Sequence, residues 1–369
     1  MAIERRLEKG TERNPERSQG HRESEAFDRL LTDSRRKHRL VLLSLALAFL
    51  SVLFLAPVLG PIQIRLNRLF ATNIPFVENV DAQIFFVARL PRVLLAAVTG
   101  AALAASGLIF QAVLKNPLAT PYTLGVASGA SLGAVLSIRS GLVVVIFGLS
   151  SLTLSAFVGA LFAVGLIYLL TQRRGELSTS VLLLAGVALN FMFSSLILLV
   201  HYLSNFTQSY QMLRWMMGGL DVIEYPLIAS AAVLVALGLA ATSRFTKELN
   251  LISTGDELAM SRGVEVVRVK RIGYLTASLL TAAVVALTGP IGFVGLVVPH
   301  ALRLIIGPDN RLLLPASALA GAIALIVCDT IARTVIAPTE IPVGVITSLL
   351  GSPCFIWLLL RQRRRLSFL

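Results

Sequence analysis

Apolar residues in this chain come in uninterrupted blocks of about 20, the length a helix needs to cross a bilayer core. This pattern restricts the fold more than any other feature. A segment inside lipid has no water to satisfy its amides and carbonyls, so it must close its hydrogen bonds on itself as a helix or within a closed barrel. Blocks this long are helical, because barrel strands need only about 10 alternating residues. Ten intervals qualify, near 40–60, 87–109, 121–138, 142–170, 181–203, 226–242, 271–289, 291–306, 312–336 and 341–360. Composition agrees: 56% of the 369 residues are hydrophobic and 14% charged, against roughly 25% charge in soluble domains. The expectation is an all-α polytopic membrane protein in contact with lipid.

Basic residues set the orientation. The tail ending "SRRKHR", Lys115, "QRRGE", the cluster Arg244, Lys247, Arg262, Arg268, Lys270 and Arg271, then Arg303, Arg311 and the terminal "RQRRR" all fall on one side of a ten-span path. The other side holds fewer: Arg65, Arg68, Arg89, Arg92, Arg139, Arg214 and Arg333. Both termini are therefore expected in the cytoplasm, with the chain in a bacterial cytoplasmic (inner) membrane. Residues 1–38 carry dense mixed charge and little apolar content, the composition of a disordered tail. Residues 39–369 form the transmembrane domain.

The net charge of +13 does not point to nucleic acid. The bases lie between apolar blocks, and no basic groove interleaved with aromatics accompanies them. Cys328 and Cys354 lie inside apolar blocks and read as small fillers. The sequence has no phosphate-binding loop, no nucleophile elbow and no HExxH, and His300 has no neighbouring ligand set. Neither a catalytic site nor a metal or cofactor site is expected. ATP, if it is used, belongs on another chain.

Several polar stretches interrupt this background. "GDELAMSRGV" (255–264) is a compact charged helix in the longest cytoplasmic loop, between spans six and seven. "KNPLATP" (115–121) puts Pro117 and Pro121 after span two, where each breaks helix before it. It reads as an interfacial turn or as a gate. Gly125, Gly129 and Gly133 share one face of a helix and permit close packing, within the subunit or along a dimer contact. Asp329 and Arg333 are spaced to pair at i, i+4. The stretches 107–135 and 292–325 share an order of features, a glycine-led apolar turn, a Pro-containing break and a small-residue helix. Five spans apart, they would form an inverted repeat.

In order, "RLPRVLLAAVTGAALAASGLIFQAVLKNPLATPYTLGVASGA", "LSTSVLLLAGVAL", "WMMGGL", "GDELAMSRGV", "GPIGFVGLVVPHALRLIIGPDNRLLLPASALAGA" and "EIPVGVITSLLGSPCFIWLLL" resemble the permease subunits of FecCD-type ABC importers, which take up ferric siderophores, haem and cobalamin. The resemblance runs from about residue 40 to the end. It implies ten spans per subunit, a second permease subunit (a homodimer), two ABC ATPase subunits carrying the ATP and magnesium, and an extracytoplasmic substrate-binding protein. It implies coupling helices near 250–265, with Gly255, Asp256, Glu257, Ala259, Arg262 and Gly263 meeting the ATPase. It implies docking of the binding protein at Arg89, Arg92 and Arg333, and a cytoplasmic gate at Asn116, Leu118, Thr179 and Ser180. The charged tail and Lys115, where the cobalamin permease has an acid, depart from the pattern. The competing reading is a secondary transporter driven by an ion gradient. It would need ionisable groups near mid-membrane, and Asp329 is the one acid placed clearly within a span.

Overall fold

A computed structural model describes residues 38–69, 74–146, 148–173, 176–177, 179–222 and 224–366. The charged tail, apart from His38, lies outside them. Residues 45–369 form one compact unit; of a separate unit, 1–44, residues 38–44 are described. The long helices are α1 (His38–Leu55), α2 (Val80–Val113), α4 (Ser151–Thr171), α5 (Thr179–Tyr202), α7 (Tyr225–Ser243), α10 (Val266–Thr288) and α12 (Asn310–Thr334), all seven long and apolar enough to cross a membrane. The other expected intervals hold α3 (Val126–Ser140), α11 (Val294–Ile306) and α13 (Val343–Leu366). Of these, α3 and α11 are short, and the apolar part of α13 stops at Leu358. Among the described residues, shorter helices connect spans, including α6 (Phe206–Met216), α8 (Thr246–Thr254) and α9 (Asp256–Ser261).

Helix α2 is the hub. In its most apolar window 83% of residues are buried, against 28% in α4 and α5 and 22% in α7. It packs against α12, α10, α11 and α7. The crossings are close because they fall on glycines. A Cβ on Gly107 would stand 1.8 Å from the carbonyl oxygen of Gly295 on α11, and one on Gly100 2.2 Å from that of Gly321 on α12. In lipid, where helix association gains little from apolar burial, such backbone contact is a main source of attraction. Gly107 leads the first stretch of the sequence repeat and Gly295 lies near the start of the second, so the two stretches meet at this crossing. Gly107→Val is expected to cost about 3 kcal/mol through overpacking. The check is a lower yield of monodisperse protein from detergent extracts, with Gly165→Ala, which meets nothing within 4 Å, as the tolerated control.

The helix α3 pairs chiefly with α4. Cβ atoms on Gly129 and Gly133 would stand 2.5 and 2.0 Å from the carbonyl oxygens of Gly159 and Ser155. The small-residue face is thus used within the subunit.

The largest departure from the expected span boundaries is at the start of the fourth. The apolar run "LVVVIFGLS" is not the start of the fourth span: Val145–Ile146 pairs antiparallel with Leu149–Ser150 in a small hairpin. β-branched residues favour extended backbone, and Gly148 at φ 79° makes the turn. The helix starts only at Ser151.

Candidate functional site

At one end of the bundle α8 and α9 form a two-helix projection. Leu249 and Ile252 anchor α8 in the core, at 1% and 0% exposure. Asn250 pins it to the start of α12: its Nδ2 donates to Asp309 Oδ1 at 2.7 Å, and its Oδ1 accepts from the Asn310 amide at 2.8 Å. Gly255 then breaks the chain with φ 147° and ψ 142°, a backbone open only to glycine. Gly263, at φ 79°, ends the element. On α9, Ala259 is wholly buried, while Glu257, Leu258, Met260, Ser261 and Arg262 are exposed. The projection is therefore a rigid knob with charged and apolar groups at its tip. Leu258 and Met260 were missed in the sequence because they sit in a stretch that reads as polar.

Asp256, the first residue of α9, ties the knob to two other elements. Its Oδ2 accepts from Lys270 Nζ on α10 at 2.7 Å, and its Oδ1 lies 3.1 Å from Lys115 Nζ. Burial alone would raise the Asp256 carboxyl, but the hydrogen bonds and charges of Lys270 and then Lys115 outweigh it and hold the group below the ordinary aspartate range. Lys115 adopts φ 49°, unusual for a residue with a side chain. It sits directly before the expected gate residues. Asn116 Oδ1 accepts from the Leu118 amide at 2.9 Å, closing a local turn that leaves Leu118 half exposed.

The broken backbone that follows is satisfied by protein groups. Thr120 and Thr123 exchange amide-to-hydroxyl bonds of 3.1 and 3.3 Å. Asn190 of α5 donates to the Tyr122 carbonyl at 2.9 Å and accepts from Ser128 at 2.6 Å. Thr179 and Ser180 open that same helix, with Ser180 exposed. The loop 115–123 is thus held on one side by the knob, through Lys115 and Asp256, and on the other by α5.

The three arginines expected to dock a partner lie at the start of α2 and the end of α12. The segment Ile84–Arg89 is π-helical, with the Leu90 amide bonded to Phe85. Pro91 accounts for the widening, since it has no amide to donate and its ring crowds the carbonyl one turn back. Arg89 is buried and donates to the carbonyls of Pro57, Val58 and Ile62 at 3.2, 3.1 and 2.6 Å. Arg92 Nε donates to Asp329 Oδ1 at 2.8 Å and its Nη1 to Glu340 at 2.5 Å. Arg333 Nε reaches Asp329 Oδ2 at 3.0 Å, the i, i+4 pair expected from spacing. Arg333 is also buried and faces the carbonyls of Leu59 and Ala56. All three guanidinium groups turn inward; Glu340, with a side chain 48% exposed, is the member of the cluster most open to solvent. Asp329, with no exposure, serves as the counter-ion of two arginines.

His300 is buried, its ring edge-on to Phe355 at 6.0 Å. Among the described residues, no three of His, Cys, Asp and Glu assemble as a metal site would need.

Known proteins resemble this chain over most of its length. The chain is 41% identical to the hemin transport system permease protein HmuU of Yersinia pestis, over 88% of this chain and 97% of that one. It is 41% identical to the cobalamin import system permease protein BtuC of Halobacterium salinarum, over 79% of this chain and 77% of that one. A solved metal-chelate type ABC transporter in an inward-facing conformation superposes with a TM-score of 0.75 at 29% identity, covering 87% of this chain and 99% of that one. The description of the FecCD transport family matches residues 45–361, and the chain belongs to that family.

Proposed function

We propose that this permease is the membrane-spanning subunit of an ABC importer for an iron chelate, such as haem or a ferric siderophore, or for cobalamin. A substrate-binding protein would deliver the cargo outside, and a separate ATPase would supply the drive inside. The observation that carries the reading is the α8–α9 knob, whose base is locked to the gate loop by Asp256 and Lys115. Its exposed tip suits a groove on a cytosolic partner, and a push on it reaches the gate without passing through flexible chain. Support for the cargo class is the likeness to the hemin and cobalamin permeases.

In this reading ten helices span the inner membrane, both termini are cytoplasmic, and two copies enclose the pathway. Asn116, Leu118, Thr179 and Ser180 form the cytoplasmic gate, short polar and apolar groups that let a bulky ligand slide past without holding it. Arg89, Arg92 and Arg333 set a positive field at the outer mouth, three cations against Asp329 and Glu340, that favours encounter with an acidic face of the binding protein. Contact itself falls to the Arg92–Glu340 edge. This chain binds no cofactor; ATP and magnesium sit on the ATPase. The competing secondary-transporter reading is weakened by Asp329, since a carboxylate held by two arginines is poorly placed to bind and release a coupling ion.

Glu257 tests the reading. It is exposed on the knob and belongs to none of its internal ties. Glu257→Lys is expected to abolish co-purification of the ATPase from native membranes while leaving the permease monodisperse. Unchanged recovery of the ATPase would remove the knob from the interface.

A further inference from the structure

A groove of about 530 Å³ opens between the C-terminus of α7, the start of α8 and the start of α12. Leu239, Ala240, Leu314 and Pro315 form its apolar wall, and Arg244, Lys247 and Arg311 form its charged end. We propose that this groove binds an anionic phospholipid, with the phosphate among the three bases and an acyl chain along the apolar wall. The proposal rests on the topology given above, which puts this end of the three helices at the cytoplasmic face of the membrane.

Four observations carry it. First, no acid lines the groove, and none of the three bases forms an ion pair among the described residues. The nearest acids belong to the helix starts and do not enter it. Asp309 caps α12 and is engaged by Asn250 and the Arg311 amide, and Glu248 lies one residue beyond Lys247. Second, Lys247 and Arg311 each sit in the first turn of a helix. The first-turn amides of α12 are already taken by Asn250 and Asp309, so the pull on an anion there comes from the basic side chains themselves. Third, the wall is both apolar and open. Ala240 and Pro315 are exposed along the outer faces of membrane helices, where a free phosphate gains nothing and an acyl chain does. Fourth, the groove is built in advance, because the two hydrogen bonds of Asn250 fix α8 against α12. Positive-inside bases usually snorkel singly toward headgroups. Here three of them close one end of a concave site between spanning helices, the arrangement that recognises acidic lipid headgroups. Because the ligand would span α7, α8 and α12, its presence would stiffen the base of the knob.

The test uses the purified full-length permease in detergent. Retention of dioleoylphosphatidylglycerol is read by native mass spectrometry, with dioleoylphosphatidylcholine and inorganic phosphate as the other probes. Each base removed is expected to weaken phosphatidylglycerol about fivefold, so Arg244→Gln, Lys247→Gln and Arg311→Gln together weaken it on the order of a hundredfold. A second triple variant, Arg65→Gln, Arg68→Gln and Arg139→Gln, removes the same charge elsewhere and is expected to retain the lipid. Ala240→Trp fills the groove from its apolar side without changing charge. It too is expected to expel the lipid, and it decides the matter if the triple groove variant does not fold. Phosphatidylcholine should be indifferent to all of these changes, and millimolar phosphate should not compete. Equal loss in both triple variants would reduce the effect to diffuse attraction and overturn the proposal. So would displacement by phosphate alone, retention in Ala240→Trp, or a groove variant that keeps its lipid but sheds the ATPase. Lipid retention is measured without transport, so failure of the importer reading would appear separately, as loss of uptake with the lipid still bound.

Discussion

Asp329→Asn is expected to destabilise the permease by about 3–5 kcal/mol, the cost of breaking a buried ion pair and leaving its partners uncompensated. The side chain keeps its shape and loses its charge, so the effect isolates electrostatics. Arg333 and Arg92 would then face each other, with Arg89 nearby, and only backbone carbonyls and Glu340 would answer them. Thermal unfolding in detergent measures the loss. The combined variant Asp329→Asn with Arg333→Met is expected to recover a large part of it, because the most buried excess charge is gone. Additive losses would mean that the two groups do not interact. The start of α2 and the end of α12 would then be held together by packing and not by charge.

Asp256→Lys is expected to reduce uptake by more than tenfold while the protein remains folded. The substitution puts three ammonium groups where one carboxylate bridged two, and it breaks the ties of α9 to Lys115 and to Lys270 of α10. Adding Lys270→Glu rebuilds the shorter of the two ties with reversed sign and is expected to restore a substantial part of the activity. A variant that lost uptake only in parallel with its yield would show a folding defect and no role in coupling. The pH behaviour follows from the sign of the shift. Asp256 titrates below its ordinary range when folded, so its stabilising charge is fully present above the unfolded pKa. It is lost only as pH falls through the lower, folded value. Knob attachment should therefore be constant between about pH 5 and 8. Its weakening in acid is readable as loss of ATPase binding.

The positions of the helices could be read from block length because lipid leaves a long apolar run little choice but helix. The method fails where the run is apolar for another reason. Residues 142–150 are as oily as a span, but their β-branched side chains and Gly148 make a hairpin. It fails in the opposite sense at α6, which is not apolar enough to register. Its start carried a legible signal: Asn205 and Gln208 are spaced as a capping box, and they exchange those bonds at 2.9 and 3.4 Å. The stretch 255–264 reads as one short helix ending at Gly263, and α9 lies there; that α8 precedes it across a sharp break depends on the φ of Gly255, which cannot be seen in the sequence. Within the site, pairs at helical spacing were legible and distant pairs were not. Asp329 and Arg333 follow from i, i+4, but Arg92 as the second partner of Asp329 depends on how α2 crosses α12. Likewise nothing in the spacing joins Lys115 to Asp256. Ion pairs between elements are properties of packing, so the tie between α9 and the loop at Lys115 appears only in three dimensions.

The most direct test of the account is uptake into proteoliposomes that contain the permease and the ATPase recovered with it, with the binding protein supplied outside. Haem, a ferric siderophore and cobalamin are offered in turn, with ATP inside and with or without a protonophore. The account predicts uptake of one of these cargoes that requires internal ATP and the binding protein, is indifferent to the protonophore, and fails in Asp256→Lys. Uptake that persists without the ATPase and collapses with the protonophore would contradict it and make the chain an ion-driven transporter.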